Sequence, residues 1–455
     1  MGIGAVILAA GASKRFGGDK LKLGLNGISI LEHLIRAVSV SGFEEAVLVS
    51  NDEELLKLGR KYGFSGVNSP EAHLGQGASV KAGLSAINQA NDMMFFVGDQ
   101  PLIDAQIISA LKTCHAGQAG SIIIPMFNGQ SGSPVIFPRR CREQLFRLSG
   151  DYGGKSIVDK AVVKCWFGDA LRGMDIDTKE DYNKLLVVGS NTVAVRGGGD
   201  LATGVVQKLH RSGFFTVVLE TGEPSSIRRT VCLSEAVYEG TAYVEDITAR
   251  LIHSAEGLAE CFRQGIVPVL IDPEGVNIPK IGAVAVVDAI MAKHNTGTHR
   301  GMAPVTIALG PGFEAGSDVD IVIETKRGHN LGQIIRAGAA SPNTGIPGDI
   351  GGVSAKRVIH SPAAGVLSAL KDIGQRVTEG ETLAAVTDVP VPAPISGLLR
   401  GMIKNGYFVS KGMKIADIDP RESEYGNHTT VSDKARALGG AVLEALLWER
   451  RRHFI

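Results

Sequence analysis

Between Leu8 and Lys20 the chain reads Leu-Ala-Ala-Gly-Ala-Ser-Lys-Arg-Phe-Gly-Gly-Asp-Lys, directly after a short apolar run. Ala9, Ala10, Gly11 and Gly17 leave backbone N–H groups open to close approach, so this loop can nest an anion. Arg15 and Lys20 add the fixed positive charge that a phosphoryl transition state requires. The spacing is not that of a Walker A loop. Leu8, Ala9, Ala10, Gly11, Ser13, Arg15 and Lys20 are therefore expected to hold a nucleoside triphosphate by its phosphates. Asp99 follows a second apolar run, at the sheet edge where open α/β proteins bind ligands. A carboxylate there can hold Mg²⁺ against a triphosphate, and Asp177 would complete the site. Mg²⁺ usually takes one or two carboxylates and fills its shell with phosphate oxygens and water. Asp177 has a second reading, as the N-cap of a helix starting at Thr178. Arg15, Lys20 and Asp99 are the candidate catalytic residues, acting through alignment and charge neutralisation.

These residues need elements to position them. From Gly4 to Leu186, apolar runs at Ala5–Ala9, Ala46–Val49, Met94–Val97 and Ile122–Ile124 alternate with helical patterns at Ile30–Val40, Glu53–Tyr62 and Ser79–Ala90. That rhythm predicts a Rossmann-like α/β domain over 1–188, with a mostly parallel sheet covered on both faces. It restarts after Gly189-Ser-Asn191, with an apolar run, a glycine cluster, a helix over Leu201–Arg211 and Phe215–Glu220. A second Rossmann-like α/β domain is predicted over 190–303.

Beyond Pro304 glycine, proline and β-branched residues replace the long helical patterns, so 304–420 reads as a β-rich region. Within it Ser361-Pro-Ala-Ala-Gly and Ala393-Pro-Ile-Ser-Gly begin two copies of one pattern, implying half-domains related by a pseudo-twofold axis. The tail, 421–455, is helical and ends in a basic turn.

The loop pattern L-A-A-G-x-S-x-R-F-G-x-x-K resembles the signature of the molybdenum cofactor cytidylyltransferases and their wider nucleotidyltransferase family. Leu74–Leu84 looks like that family's nucleobase and substrate loop, which implies that Gly77 and Ser79 also bind nucleotide. Phe96-Val-Gly-Asp-Gln-Pro-Leu102 looks like its metal motif. Gly132–Phe137, 150–155 and Asp175–Thr178 resemble later motifs in the expected order. The resemblance implies transfer of CMP from CTP to molybdopterin or molybdenum cofactor, because the double alanine at Ala9-Ala10 goes with cytosine. Gly24 departs from the proline that the family commonly has there. A sugar- or polyol-phosphate nucleotidyltransferase, or a non-catalytic molybdenum cofactor chaperone, are alternatives.

From Val193 to about Asp419 the chain resembles the accessory, or maturation, proteins of selenium-dependent molybdenum hydroxylases. A hydroxylase of that kind is then an expected partner. Gly197, Gly199 and Glu220 resemble parts of a dinucleotide-binding turn, although Asp200 would oppose a phosphate close by. A structural turn with no dinucleotide is the competing reading. Arg327 and His329, with Arg228 and Arg229, could form an anion site or simply be solvated charge. The repeat, at about 358–420, resembles a biotinyl/lipoyl-like module, but Thr387–Pro392 carries no lysine in the turn where such carriers present one.

Lys+Arg and Asp+Glu balance at 47 each, which does not suggest a nucleic-acid partner. No stretch approaches the ~20 apolar residues of a membrane span. The five cysteines are scattered and never spaced as C-x-x-C, so neither a disulfide framework nor a zinc ribbon is expected. A cytoplasmic protein is the resulting expectation.

Overall fold

A computed structural model describes residues 2–11, 15–88, 90, 92–150, 157, 162–168, 170–343 and 355–452. The chain forms two compact units, the first of Met1–Gly24 and Ile28–Lys184, the second of Leu25–Gly27 and Leu185–Ile455.

In the first unit the main sheet runs Val162–Phe167, Ile122–Phe127, Val135–Phe137, Asp92–Val97, Ile3–Leu8, Glu45–Val49, Ser65–Val67. Val135–Phe137 is antiparallel to both neighbours, and the other pairs along this path are parallel. Burial on both faces explains the uninterrupted apolar runs. Along Ile3–Leu8, Ala5 and Ile7 face Leu31, Leu34 and Ile107, while Val6 faces Val80 and Leu84. Each such fully buried aliphatic side chain is worth about 1.5–3 kcal/mol. Helix starts are set by local caps. Ser29 accepts from the Glu32 amide, Asp52 from Glu54 and Asp104 from Ile107. The helix expected over Ser79–Ala90 runs Gln76–Ala86.

Cys114 and Cys165 are joined in a disulfide between the helix Ala105–Gly117 and the edge strand Val162–Phe167, a single pairing where no disulfide framework was expected. The remaining three are buried thiols outside any disulfide.

The second unit centres on a nine-stranded sheet: Thr241–Val244, Ile247–Ile252, Val267–Ile271, Phe215–Glu220, Thr192–Arg196, Ala285–Asp288, Val305–Leu309, Ile321–Ile323, Ile334–Ile335. Its seven inner strands are parallel and its two edges antiparallel. The sheet therefore continues past residue 303, and the first part of the β-rich region shares its core. The reason is register: Val287 pairs with Ile307 and Ile307 with Ile321, each an extension that the loop between them hid from sequence.

The repeat forms a separate pair of four-stranded sheets. Gly365–Ala369, Arg376–Val377 and Thr382–Val386 correspond in order to Gly397–Met402, Phe408–Val409 and Lys414–Asp419. The halves interleave, because Arg376–Val377 pairs with Gly397–Met402 and Phe408–Val409 with Gly365–Ala369. Closing the unit, helix Asp433–Arg452 crosses helix Asp200–Arg211 where Gly204 meets Gly439 and Ala435. No helix among the described residues is long and apolar enough to cross a membrane.

Candidate functional site

Strand Ile3–Leu8 lies between Glu45–Val49 and Asp92–Val97, so chain leaving it toward either side opens a crevice at the carboxyl ends. The Gly98 amide donates to the Leu8 carbonyl at 2.9 Å and the Ala9 amide to Val49 at 2.8 Å, fixing both exits. A Cβ at Gly98 would stand 3.2 Å from the Leu8 oxygen, so glycine is what admits the chain here. Phe16, nearly buried, packs edge-on against Tyr182, whose hydroxyl donates to the Gly24 carbonyl. With buried Leu21 it pins the far end of the loop.

That frame brings four of the expected side chains together. Lys20 Nζ donates to Asp99 Oδ2 at 2.5 Å, to the Ile176 carbonyl at 2.6 Å and to Asp177 Oδ1 at 3.4 Å. Arg15 Nη2 lies 3.0 Å from Asp177 Oδ2 with 75% of its side chain exposed, so it is free to turn toward a ligand. The Lys20 ammonium itself is almost covered.

Asp177 does not cap the following helix. Thr178 does: its amide donates to Asp181 Oδ2 at 2.8 Å, and the Asp181 amide donates back to Thr178 Oγ1 at 3.1 Å. The reciprocal pair leaves the Asp177 carboxylate to the two cations. The Ile176 amide donates to the Asp99 carbonyl, which holds the two acidic segments side by side.

Two carboxylates converging on one ammonium form a donor set that suits a hard divalent cation. Among the described residues no group of three or more His, Cys, Asp or Glu side chains is arranged to hold a metal alone. Ligand phosphates and water would have to complete the shell, as Mg²⁺ commonly requires.

Sequence reasoning passed over Asp175. Crowding by surrounding protein, followed by the charge of Asp99, pushes its carboxyl up to about 6. The signal was present in Asp175-Ile-Asp177, since side chains two apart in extended chain share a side.

Other expected residues lie less directly on this crevice. Gly11 faces open space, and Ala9 is buried against the sheet. Gly77 donates to the Gly150 carbonyl, and a Cβ there would meet the Leu148 backbone at 3.2 Å. Ser79 is buried with its hydroxyl toward Ser69. Ser13 and 151–155 lie outside the described residues.

In the second unit the glycine turn is internally satisfied. The Gly197 amide donates to Leu219, and the Gly198 amide to Glu220 Oε2 at 2.7 Å. Glu220 also accepts from Thr221 and is buried, so its carboxylate closes the turn instead of reaching outward as a ribose ligand would require. A Cβ on Gly197 would meet the backbone of Ala289 and Ile290, while Gly199 is more open. Arg327 pairs with Asp433 through both ends of its guanidinium, and His329 is exposed. Arg229 donates to the Met402 carbonyl and to Glu235.

Residues 5–165 match the family described as the MobA-like NTP transferase domain. The chain is 34% identical over 129 residues to the probable molybdenum cofactor guanylyltransferase of Natranaerobius thermophilus, covering 28% of this chain and 62% of that protein. It is 47% identical over 259 residues to the uncharacterized protein YqeB of Escherichia coli K12, covering 57% of this chain and 48% of that protein. A stretch so long cannot fit within the first unit, so this likeness enters the second. The chain spans less than two thirds of the length of each of these relatives. Among solved structures it is similar to the Rv0371c homologue of Mycobacterium sp. strain JC1, at 26% identity and a TM-score of 0.38. That match covers 41% of this chain and 96% of that one. By the family match over residues 5–165, the first unit carries a nucleotidyltransferase-type domain.

Proposed function

We propose that the first unit transfers a nucleoside monophosphate from a triphosphate to the phosphate group of molybdopterin or molybdenum cofactor. The observation that carries this is Lys20 bridging Asp99 and Asp177 at the exit of the phosphate loop. In the reaction an acceptor phosphate oxygen bonds to the α-phosphorus, the bond to the β-phosphate oxygen breaks, and pyrophosphate leaves with its electron pair. The acceptor is already ionised at neutral pH, so no general base is needed. Arg15 swings from Asp177 to the triphosphate, and Lys20 holds the inner end of the loop against both carboxylates. Asp99 and Asp177 would hold Mg²⁺, which supplies charge neutralisation and orientation of the phosphates.

For the base, we favour CTP on the narrowing effect of Ala10. GTP is the second reading, favoured by the guanylyltransferase relative. For the second unit we propose a role in maturing a selenium-dependent molybdenum hydroxylase in the cytoplasm, with the repeat serving as a biotinyl/lipoyl-like fold without a carrier lysine. Incubation with each of the four NTPs, Mg²⁺ and molybdenum cofactor, followed by assay of pyrophosphate and dinucleotide, tests the reading. Absence of both products with every NTP would refute it.

A further inference from the structure

The second unit contains a cavity of about 520 Å³ with no part in the reaction above. One wall is the carboxyl edge of its sheet, where Asp200, Lys293, Pro311 and Lys326 each follow one of four neighbouring parallel strands. Arg357, Arg400, Lys414 and Asp417, at the start of and within the repeat, also line it. Lys434, from the C-terminal helix, and Arg228 complete the ring with Arg327.

Eight lining side chains are basic and two acidic. The acids are engaged locally. Asp417 lies 2.5 Å from Arg357 Nη1 and 4.0 Å from Arg400 Nη1. Asp200 accepts from the Leu201 amide and stands 3.4 Å from Arg228 Nη1. Behind the wall Asp433 takes up Arg327, while Asp419 is bound by Arg421 at 2.8 Å and lies 3.8 Å from Arg400. Among the described residues no acidic oxygen lies within 4.0 Å of the ammonium of Lys293, Lys326, Lys414 or Lys434. Arg228 is 8% exposed, and its Nε has no hydrogen-bond partner among those residues. Burial pulls both the Lys434 ammonium and the Arg400 guanidinium below their ordinary values, with Arg327 and Arg228 respectively adding repulsion.

We propose that this cavity binds a small organic molecule bearing a pyrophosphate group. Buried Arg228 and half-buried Arg400 and Lys434 need a counter-charge, and the lining draws its cations from the sheet edge, the repeat and the last helix, so an anion with two linked charged groups engages more of them than a single compact centre can. Two linked phosphates supply such groups and match the forked donors of the arginines. The volume falls within the ~300–1,000 Å³ range of ligand pockets. Leu201, Met291, Pro311 and Pro342 provide apolar wall for the organic part.

The test is calorimetric titration of inorganic pyrophosphate into the full chain without divalent metal. Arg400→Gln with Lys434→Gln should weaken binding at least about tenfold, and so should Lys326→Gln with Lys414→Gln. The second pair changes only exposed ends, so it reads the site even where the first disturbs folding. Sulfate should bind at least about tenfold more weakly than pyrophosphate. Isotherms unchanged in the second pair, sulfate binding as tight as pyrophosphate, or no pyrophosphate binding by the wild-type chain would each overturn the proposal. So would binding weakened by Arg15→Gln and untouched by either pair, which would locate the anion at the first unit's loop.

Discussion

Lys20 Nζ lies 2.5 Å from Asp99 Oδ2 although 79 positions separate the two residues. Leu8 and Val97 are register partners on adjacent parallel strands, so the two exits emerge side by side. The ion pair is thus a property of the sheet, and it sets the charge against which a triphosphate would be aligned.

Replacing Asp99 with Asn removes a charge at a strand end without disturbing the apolar faces. Metal-dependent pyrophosphate release should fall on the order of a hundredfold or more, with the melting temperature little changed. A folded variant with near-normal turnover would remove Asp99 from the proposed metal site.

Base selection should respond to Ala10. We expect CTP to be used with a kcat/KM at least about tenfold above GTP, and Ala10→Gly to narrow that gap. Equal values for both nucleotides in the wild-type chain would refute the cytidylyl assignment.

Thr178→Ala breaks the reciprocal pair with Asp181. Loss of such a cap costs about 1 kcal/mol, measurable as a lower urea midpoint. Transferase activity should also fall, because Asp177 is held by the same turn. An unchanged midpoint would show that the cap contributes nothing.

Gly204 and Gly439 let two helices of the second unit touch backbone to backbone, and a Cβ on either would run into the other helix. Gly204→Ala or Gly439→Ala should therefore cost about 1–3 kcal/mol through overpacking. Denaturant unfolding of an alanine variant as stable as wild type would contradict this close crossing.

Burial, opposed by the Thr221 and Gly198 amides, raises the Glu220 carboxyl above its ordinary value. The folded chain then binds that proton more tightly than the unfolded chain. Stability from this group falls as pH rises from the ordinary carboxylate range through the folded value. Relative to Glu220→Gln, the wild-type chain should gain stability as pH falls from neutrality into the ordinary carboxylate range. Parallel melting curves for the two proteins across that range would argue against it.

Much of the first unit was legible because its information is local. Apolar runs report strands buried on both faces, and the loop at Leu8–Lys20 displays its small and basic residues in one short stretch. The repeat was legible for the same reason, since its two copies carry their glycines and strands at matching positions. Asp177 was left with two roles until tertiary structure decided between them, because only the Thr178–Asp181 pair shows which residue caps the helix. The Cys114–Cys165 pairing and the sheet's extension into Val305–Leu309 likewise depend on contacts between distant segments. The cationic cavity is the clearest case. A chain whose charges cancel gives no sign of it, since its bases come from the sheet edge, the repeat and the last helix. Composition sums charge over the whole chain, whereas electrostatic attraction falls with distance, so only folding determines where charge is concentrated.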